Sequence, residues 1–314
     1  MRPTITPFFS VVIPTYNRAK LLVQAVESVL RQDYTSFEII VVDNCSTDAT
    51  DDLMQAFSTD TRVTYLRNSV NLERGHSRNR GYKTAKGLYA CILDSDDIMY
   101  PSCLRDAHHF ACSNRDKLIF HPGRELISHD GAFLNTLRLP RIVNQYKQIC
   151  QSNFLSTQCV FVGREIYTNP AFHFSEDPRM VGSEDYDIWI RILARYSVGR
   201  IPTVGCGLRE HTGRSVYTSM YENLEYQRMR VISMIETDPL LLRQYREYLG
   251  YINANYFWHE AMYSLSRGDR RSAWELFVRA LADGRGMFLS RRSLGFLKKF
   301  LTDSVGTDQI TDQN

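Results

Sequence analysis

Three apolar runs of strand length, each closing on polar residues, constrain the fold of this 314-residue chain more than any other feature. Phe8-Phe9-Ser10-Val11-Val12-Ile13 leads into Pro14-Thr15-Tyr16-Asn17. Glu38-Ile39-Ile40-Val41-Val42 leads into Asp43, and Leu88-Tyr89-Ala90-Cys91-Ile92-Leu93 leads into Asp94-Ser95-Asp96-Asp97. A strand with one wet face alternates apolar and polar residues, whereas near-continuous apolar strands belong to a parallel sheet covered on both faces. The intervening segments have helical spacing. Leu22, Val26 and Val29, with Ala25 beside them, mark an amphipathic helix from about Ala19. Asp48 is read as the N-cap of a second helix reaching about Phe57, and a third covers roughly Ser77 to Lys86. Val63-Thr64-Tyr65-Leu66 supplies one more short strand, and Pro14 is expected to stop the first. In such α/β sheets ligands bind beyond the carboxyl ends of the strands, where the three polar clusters would meet.

The acidic cluster has its own chemistry. Three carboxylates in four residues would repel one another severely if buried alone. A divalent cation and a diphosphate relieve that repulsion, because hard oxygen ligands suit Mg²⁺ or Mn²⁺. Alternate side chains of an extended segment point to opposite sides, so Asp94 and Asp96 can face one site with Asp97 nearby. The alternative is an acidic loop capping a helix that starts near Pro101.

Bulk properties exclude several classes. The net charge of +3 is too small for a nucleic-acid partner, and 43% hydrophobic with 23% charged residues is ordinary for a globular protein. The 7 cysteines form no C-x-x-C pair, which argues against a disulfide framework or zinc site and for a reducing compartment. No apolar run approaches the ~18–20 residues of a membrane-spanning helix. The run from Phe8 to Ile13 is too short for a signal peptide, so a cytoplasmic location is expected.

Residues 117–220 are less regular. Leu118-Ile119-Phe120 and Cys159-Val160-Phe161-Val162 look like strands, and Glu184-Asp185-Tyr186-Asp187 opens a helix whose acidic first turn suits the helix dipole. From about Tyr221 the chain reads as helical, with helices over Ile252 to Ser266 and Arg270 to Ala282, and the polar residues 302–314 are expected to be disordered. Between Arg285 and Leu301 lie five basic residues and no acidic ones: Arg285, Arg291, Arg292, Lys298 and Lys299. Leu294, Leu297 and Leu301 share one face of that segment, which would suit peripheral contact with anionic lipid or packing as a terminal helix.

Five motifs in order resemble the family-2 glycosyltransferases: Val12-Ile13-Pro14-Thr15-Tyr16-Asn17-Arg18, Val41-Val42-Asp43-Asn44-Cys45-Ser46-Thr47-Asp48, Arg78-Asn79-Arg80-Gly81, Leu93-Asp94-Ser95-Asp96-Asp97 and Ser183-Glu184-Asp185-Tyr186-Asp187. The resemblance spans roughly residues 8–217. It implies a GT-A fold with a mainly parallel, Rossmann-like sheet over residues 1–220, split into a nucleotide half (about 8–100) and an acceptor half (101–220), with a helical region over 221–301. The implied activity is inverting transfer from a nucleoside-diphosphate sugar, UDP-linked in the first instance, to a saccharide or lipid-linked glycan, as in cell-surface polysaccharide synthesis. The implied nucleotide-sugar residues are Pro14, Thr15, Tyr16, Asn17, Asp43, Arg78, Asp94 and Ser95. Asp43 would read the base, Asp94 would hold the ribose, and Arg78 would contact base or phosphate. Asp96 and His211 would ligate Mn²⁺ or Mg²⁺, Asp185 would be the catalytic base, and Glu184 would orient the acceptor or cap the helix. Two other readings stand beside this one. The first is a non-catalytic nucleotide- or glycan-binding module of the same fold. The second is a sugar nucleotidyltransferase, disfavoured because Pro14-Thr15-Tyr16-Asn17-Arg18 lacks the glycines of a triphosphate loop.

Overall fold

The computed structural model describes residues 6–137, 141–210, 223–284 and 291–302. The chain divides into two compact units, Met1–Ile149 with Asn153–Met220, and Cys150–Ser152 with Tyr221–Asn314.

The first unit alternates strands and helices: β1 (Phe9–Thr15), α1 (Ala19–Leu30), β2 (Phe37–Asp43), α2 (Thr50–Met54), β3 (Val63–Arg67), α3 (Arg74–Thr84) and β4 (Tyr89–Ile92). It continues through β5 (Ile98–Met99), α4 (Cys103–Ser113), β6 (Ile119–Ile127), β7 (Phe133–Leu137), α5 (Gln145–Gln151), β8 (Phe161–Gly163), α6 (Arg164–Tyr167), α7 (Glu184–Leu193) and β9 (Val198–Arg209). Among the described residues one nine-stranded sheet has the order β3-β2-β1-β4-β8-β6-β9-β5, with β7 paired to β6. The strands β3, β2, β1 and β4 run parallel, as do β6 and β9, while β8 pairs antiparallel with both β4 and β6.

Register explains how distant motifs converge. In the β1–β2 ladder Thr15 lies opposite Asp43, and in the β1–β4 ladder Val12 lies opposite Ile92. The turn that begins at Asp94 therefore leaves the sheet at the same edge as Thr15. The apolar runs are buried on both faces, with Val11, Val12, Ile13, Ile39, Ile40, Val41 and Val42 all fully shielded from solvent. Each such side chain contributes roughly 1.5–3 kcal/mol of burial.

The structure refines several expectations. Pro14 does not end β1: it lies inside the strand opposite Val42, next to the last residue, where no ladder bond is needed from its nitrogen. The helix expected from Asp48 to Phe57 is a short α2 followed by a single 3₁₀ turn over Gln55–Phe57. Asp48 precedes α2 and serves two helix starts, accepting from Thr50 N–H at 3.1 Å and from Ala19 N–H at 3.0 Å. The long strand β9 was not legible, because Gly199, Pro202, Gly205 and Gly207 interrupt its apolar pattern. All seven cysteines are free thiols.

The second unit contains α8 (Leu224–Thr237), α9 (Pro239–Tyr245), α10 (Leu249–Ser266), α11 (Arg270–Asp283) and α12 (Arg291–Thr302). A tight turn joins α10 to α11: Gly268 takes a left-handed φ of +81°, and the Asp269 carboxylate accepts from Ser272 N–H at 3.0 Å. Ala261, Leu265, Ala273, Phe277 and Phe296 form its core, with the Phe277 and Phe296 rings stacked 4.1 Å apart.

One glycine of the third motif has a packing role. A Cβ on Gly81 of α3 would meet Val12 Cγ1 at 2.1 Å, so this helix rides directly on β1. Gly81→Ala should lower stability by about 1–3 kcal/mol despite the better helix propensity of alanine. Urea unfolding followed by circular dichroism checks this, and an unchanged or higher midpoint would contradict the packing account.

Candidate active site

The carboxyl ends of β1 and β4, the first turns of α3 and α7, and the segment 156–158 enclose a crevice of about 440 Å³. That size falls within the range of small-ligand sites. Pro14, Thr15 and Tyr16 form one wall, with Tyr16 42% exposed and free to cover a flat ligand. The Thr15 hydroxyl is buried and has no hydrogen-bond partner among the described residues. Such an orphan is costly unless a ligand satisfies it.

Asp94, Ser95, Asp96 and Asp97 form the floor. One carboxylate oxygen from each of the three aspartates lies within 4.8 Å of the others, a hard all-oxygen donor set that fits Mg²⁺ or Mn²⁺. Asp97 has a second duty, since its Oδ1 accepts from the backbone N–H of Arg209 at 2.9 Å. Asp96 Oδ2 lies 2.8 Å from Nη1 of Arg18, a crevice-lining residue that the motif contained but to which the sequence reading gave no role.

Arg78 projects from α3 and is 3% exposed. Its Nη1 donates to Glu184 Oε1 at 2.7 Å, its Nη2 donates to Asp94 Oδ1 at 3.2 Å, and its guanidinium lies 5.2 Å from the centre of the Phe174 ring. The planar fork thus joins the β4 turn to the start of α7. Arg74 approaches the same Glu184 oxygen at 3.7 Å. Burial alone would push the Asp94 and Glu184 carboxyls upward, but the charges of Arg78 and Arg74 outweigh it and hold both below the ordinary carboxylate range.

Asp185 behaves oppositely. Burial, with the negative charge of Glu184 next, pushes its carboxyl up to about 6, and Arg78 offsets only part of that. Its Oδ2 accepts from Asn153 Nδ2 at 3.0 Å and from Thr157 Oγ1 at 3.4 Å. Gly182, with φ +93°, turns its N–H onto Glu184 Oε2 at 2.6 Å and so fixes the entry into α7. Adjacent carboxylates in one first turn are therefore separated into two electrostatic types. Glu184 is locked in an ion pair and held below the ordinary carboxylate range, whereas Asp185 is raised above it.

Two of the residues expected to contact the nucleotide are held by hydrogen bonds in the loops beside the crevice. Asp43 is fully buried and does not line the crevice. Its Oδ1 accepts from Ser46 N–H at 3.0 Å and its Oδ2 from Tyr65 OH at 2.8 Å, with Arg67 Nε at 3.7 Å. The crevice residue there is its neighbour Asn44, whose Oδ1 accepts from Leu72 N–H at 2.9 Å. Asn17 is likewise outside the lining: with φ +50° it forms a turn, and its Oδ1 accepts from Thr47 N–H at 2.8 Å. His211 lies outside the described residues. The sequence reading missed the segment 153–158, which supplies Asn153 and Thr157 to Asp185 and Gln158 Nε2 to Asp94 Oδ2 at 2.5 Å. Its only sequence signal is the polar cluster Ser156-Thr157-Gln158 just before an apolar run.

Comparison with known proteins agrees with this geometry. The family model for glycosyl transferase family 2 matches residues 10–164. WcaA of Escherichia coli (strain K12), named for colanic acid biosynthesis, is 30% identical over 202 residues, covering 60% of this chain and 67% of WcaA. The Escherichia coli protein WfaP, named as a UDP-Glc:alpha-D-GlcNAc-diphosphoundecaprenol beta-1,3-glucosyltransferase, is 28% identical over 186 residues, covering 59% of this chain and 70% of WfaP. Among solved structures, residues 1–349 of S. aureus TarS in complex with UDP-GlcNAc share the fold at TM-score 0.69 and 20% identity, over 88% of this chain and 80% of that one. By motif, family model and relatives, the chain belongs to glycosyl transferase family 2 and has its GT-A fold.

Proposed function

We propose that this glycosyltransferase moves a sugar, with inversion, from a UDP-sugar to a saccharide or lipid-linked glycan in polysaccharide synthesis. The observation that carries the reading is Asp185, a carboxyl raised to about 6 that lines the same crevice as the acidic turn of Asp94, Ser95, Asp96 and Asp97. UDP as the donor nucleotide is supported by the names of TarS bound to UDP-GlcNAc and of WfaP. WfaP's name also supports a lipid-linked acceptor.

In this reading Pro14, Thr15, Tyr16 and Asn44 hold the nucleoside, and the orphan Thr15 hydroxyl gains a partner there. Asp94, Asp96 and Asp97 would hold Mg²⁺ or Mn²⁺, which when bound neutralises charge developing on the leaving diphosphate. The acceptor oxygen attacks the anomeric carbon as the bond from that carbon to the diphosphate oxygen breaks, and the proton of the acceptor hydroxyl passes to Asp185. No enzyme nucleophile is needed. Asn153 and Thr157 aim the base, while Glu184, held ionised by Arg78 and Arg74, orients the acceptor. Arg78 serves this scheme by fixing Glu184 and Asp94 relative to each other. Within the set implied for the donor, Asp43 and Asn17 act by shaping the loops behind Asn44 and Tyr16.

We also propose that the enzyme works on the cytoplasmic side of a membrane, touching it through its basic C-terminal segment. Among the described residues no helix is long and apolar enough to cross a membrane. On α12, Phe296 is fully buried while Leu294 and Leu301 are 62% and 68% exposed, one helical heptad apart and beside Lys298. An apolar stripe next to cations suits an anionic interface.

The base assignment is checked by kinetics and calorimetry together. Asp185→Asn should cut kcat by roughly 10²–10⁴-fold while leaving UDP and Mn²⁺ affinity nearly unchanged. In the parent enzyme kcat/KM should be level above the Asp185 pKa and fall about tenfold per pH unit below it, because only the carboxylate accepts a proton. Near-parental turnover by the Asn variant would remove Asp185 from the chemistry.

Membrane contact is checked by sedimentation with vesicles of anionic phospholipid. The parent should co-sediment, and a variant with Arg291, Arg292, Lys298 and Lys299 all changed to Ala should stay in the supernatant. A parent that stays in the supernatant would rule the contact out.

A further inference from the structure

Arg209 has no part in the scheme above, yet it touches the acidic turn at two points and two other elements besides. It is the last residue of β9 and is 4% exposed. Its backbone N–H donates to Asp97 Oδ1 at 2.9 Å, and its Nε donates to the Asp96 carbonyl oxygen at 3.0 Å. Nη2 donates to Gln24 Oε1 on α1 at 2.8 Å, and Nη1 donates to the His129 carbonyl oxygen in the turn between β6 and β7. One guanidinium therefore spans α1, the β6–β7 turn and the acidic turn itself.

We propose that Arg209 is the positioning residue that holds Asp96 and Asp97 in a cation-binding arrangement. The proposal rests on reading the acidic turn as a divalent-metal site. Three carboxylates crowded within 4.8 Å repel one another, and the turn closes on itself through a backbone hydrogen bond from Asp97 N–H to the Asp94 carbonyl at 3.0 Å. External anchors then set where Asp96 and Asp97 point: the Arg209 main-chain N–H holds the Asp97 side chain, and the Arg209 guanidinium, the anchor a substitution removes, holds the Asp96 backbone and ties it to α1 and the β6–β7 turn. The guanidinium suits this task because its donors diverge in a fixed plane toward acceptors on separate elements. A lysine ammonium at the end of a flexible stem cannot reach all of them. Groups outside the coordination sphere that orient ligands typically change metal affinity by 10–100-fold when removed.

The test is Mn²⁺ titration followed by electron paramagnetic resonance, in the presence of UDP and corrected for Mn²⁺ held by UDP alone. Arg209→Met should weaken Mn²⁺ binding by about 10–100-fold, while UDP affinity in EDTA changes less than about twofold. Arg209→Lys should lose nearly as much, since it keeps the charge but not the fork. Parental Mn²⁺ affinity in either folded variant would overturn the proposal. If Arg209→Met does not fold, Gln24→Ala removes one anchor of the same guanidinium from an exposed partner. It should weaken Mn²⁺ measurably, and an unchanged affinity there would equally overturn it. A parent enzyme that binds no Mn²⁺ with UDP would instead remove the metal reading on which the proposal stands.

Discussion

Repulsion among five carboxylates at one sheet edge is the constraint around which the site is built. Asp94, Asp96, Asp97, Glu184 and Asp185 all line a single crevice, and like charges that close cannot share a partly dry site uncompensated. The protein answers with arginines from different parts of the chain. Arg78 spans Asp94 and Glu184, Arg74 adds to Glu184, Arg18 meets Asp96, and Arg209 fastens the backbone of the turn. Asp185 instead receives neutral donors, the side chains of Asn153 and Thr157 and the backbone N–H of Tyr186. Its raised pKa follows first from burial and next from the negative charge of Glu184, which Arg78 offsets only in part.

Compensation on this scale requires the elements to be held rigidly, and the parallel ladders provide that. Register fixes Thr15 against Asp43 and brings the turn after β4 out beside them. The absence of a side chain at Gly81 lets α3 ride close to Val12, which carries Arg78 to the sheet edge. Removing Arg78 would strip the hydrogen-bonded cation from the buried Glu184 and from Asp94 at once, and breaking a buried ion pair typically costs about 3–5 kcal/mol. Stability and catalytic geometry are thus set by the same few contacts, and a change at Arg78 would damage both.

Legibility in the sequence followed the physics of each element. The strands β1, β2 and β4 are read from their apolar runs because both faces are buried, and the helix α1 from its single apolar stripe. The strand β9 was hidden by its glycines and proline, whose positions answer to tertiary contacts such as the Pro122 ring against Gly205. Site residues on strand ends and helix starts were legible because such positions expose backbone and polar side chains together, as Asp94, Asp96, Glu184 and Asp185 do. The segment 153–158 was not, since its role depends on a long-range approach to Asp94 and Asp185 that no local pattern encodes. The partners of Asp43 and Asn17, which are Ser46 and Tyr65 for the first and Thr47 for the second, were not legible because they depend on how the loops after β1 and β2 fold together.

Sugar transfer by the proposed scheme requires a nucleotide and a divalent cation to bind together in the crevice. The most direct measurement is a thermal-unfolding series with UDP, GDP and dTDP, each in Mn²⁺ and in EDTA. A nucleotide at 100 times its dissociation constant adds ~2.7 kcal/mol to stability, a shift of several degrees at this size or smaller. The expected result is a rise in Tm with UDP that depends on Mn²⁺ and exceeds the rise with the other two nucleotides. No shift with any nucleotide would contradict the account and leave a family-2 fold whose crevice serves something other than sugar transfer.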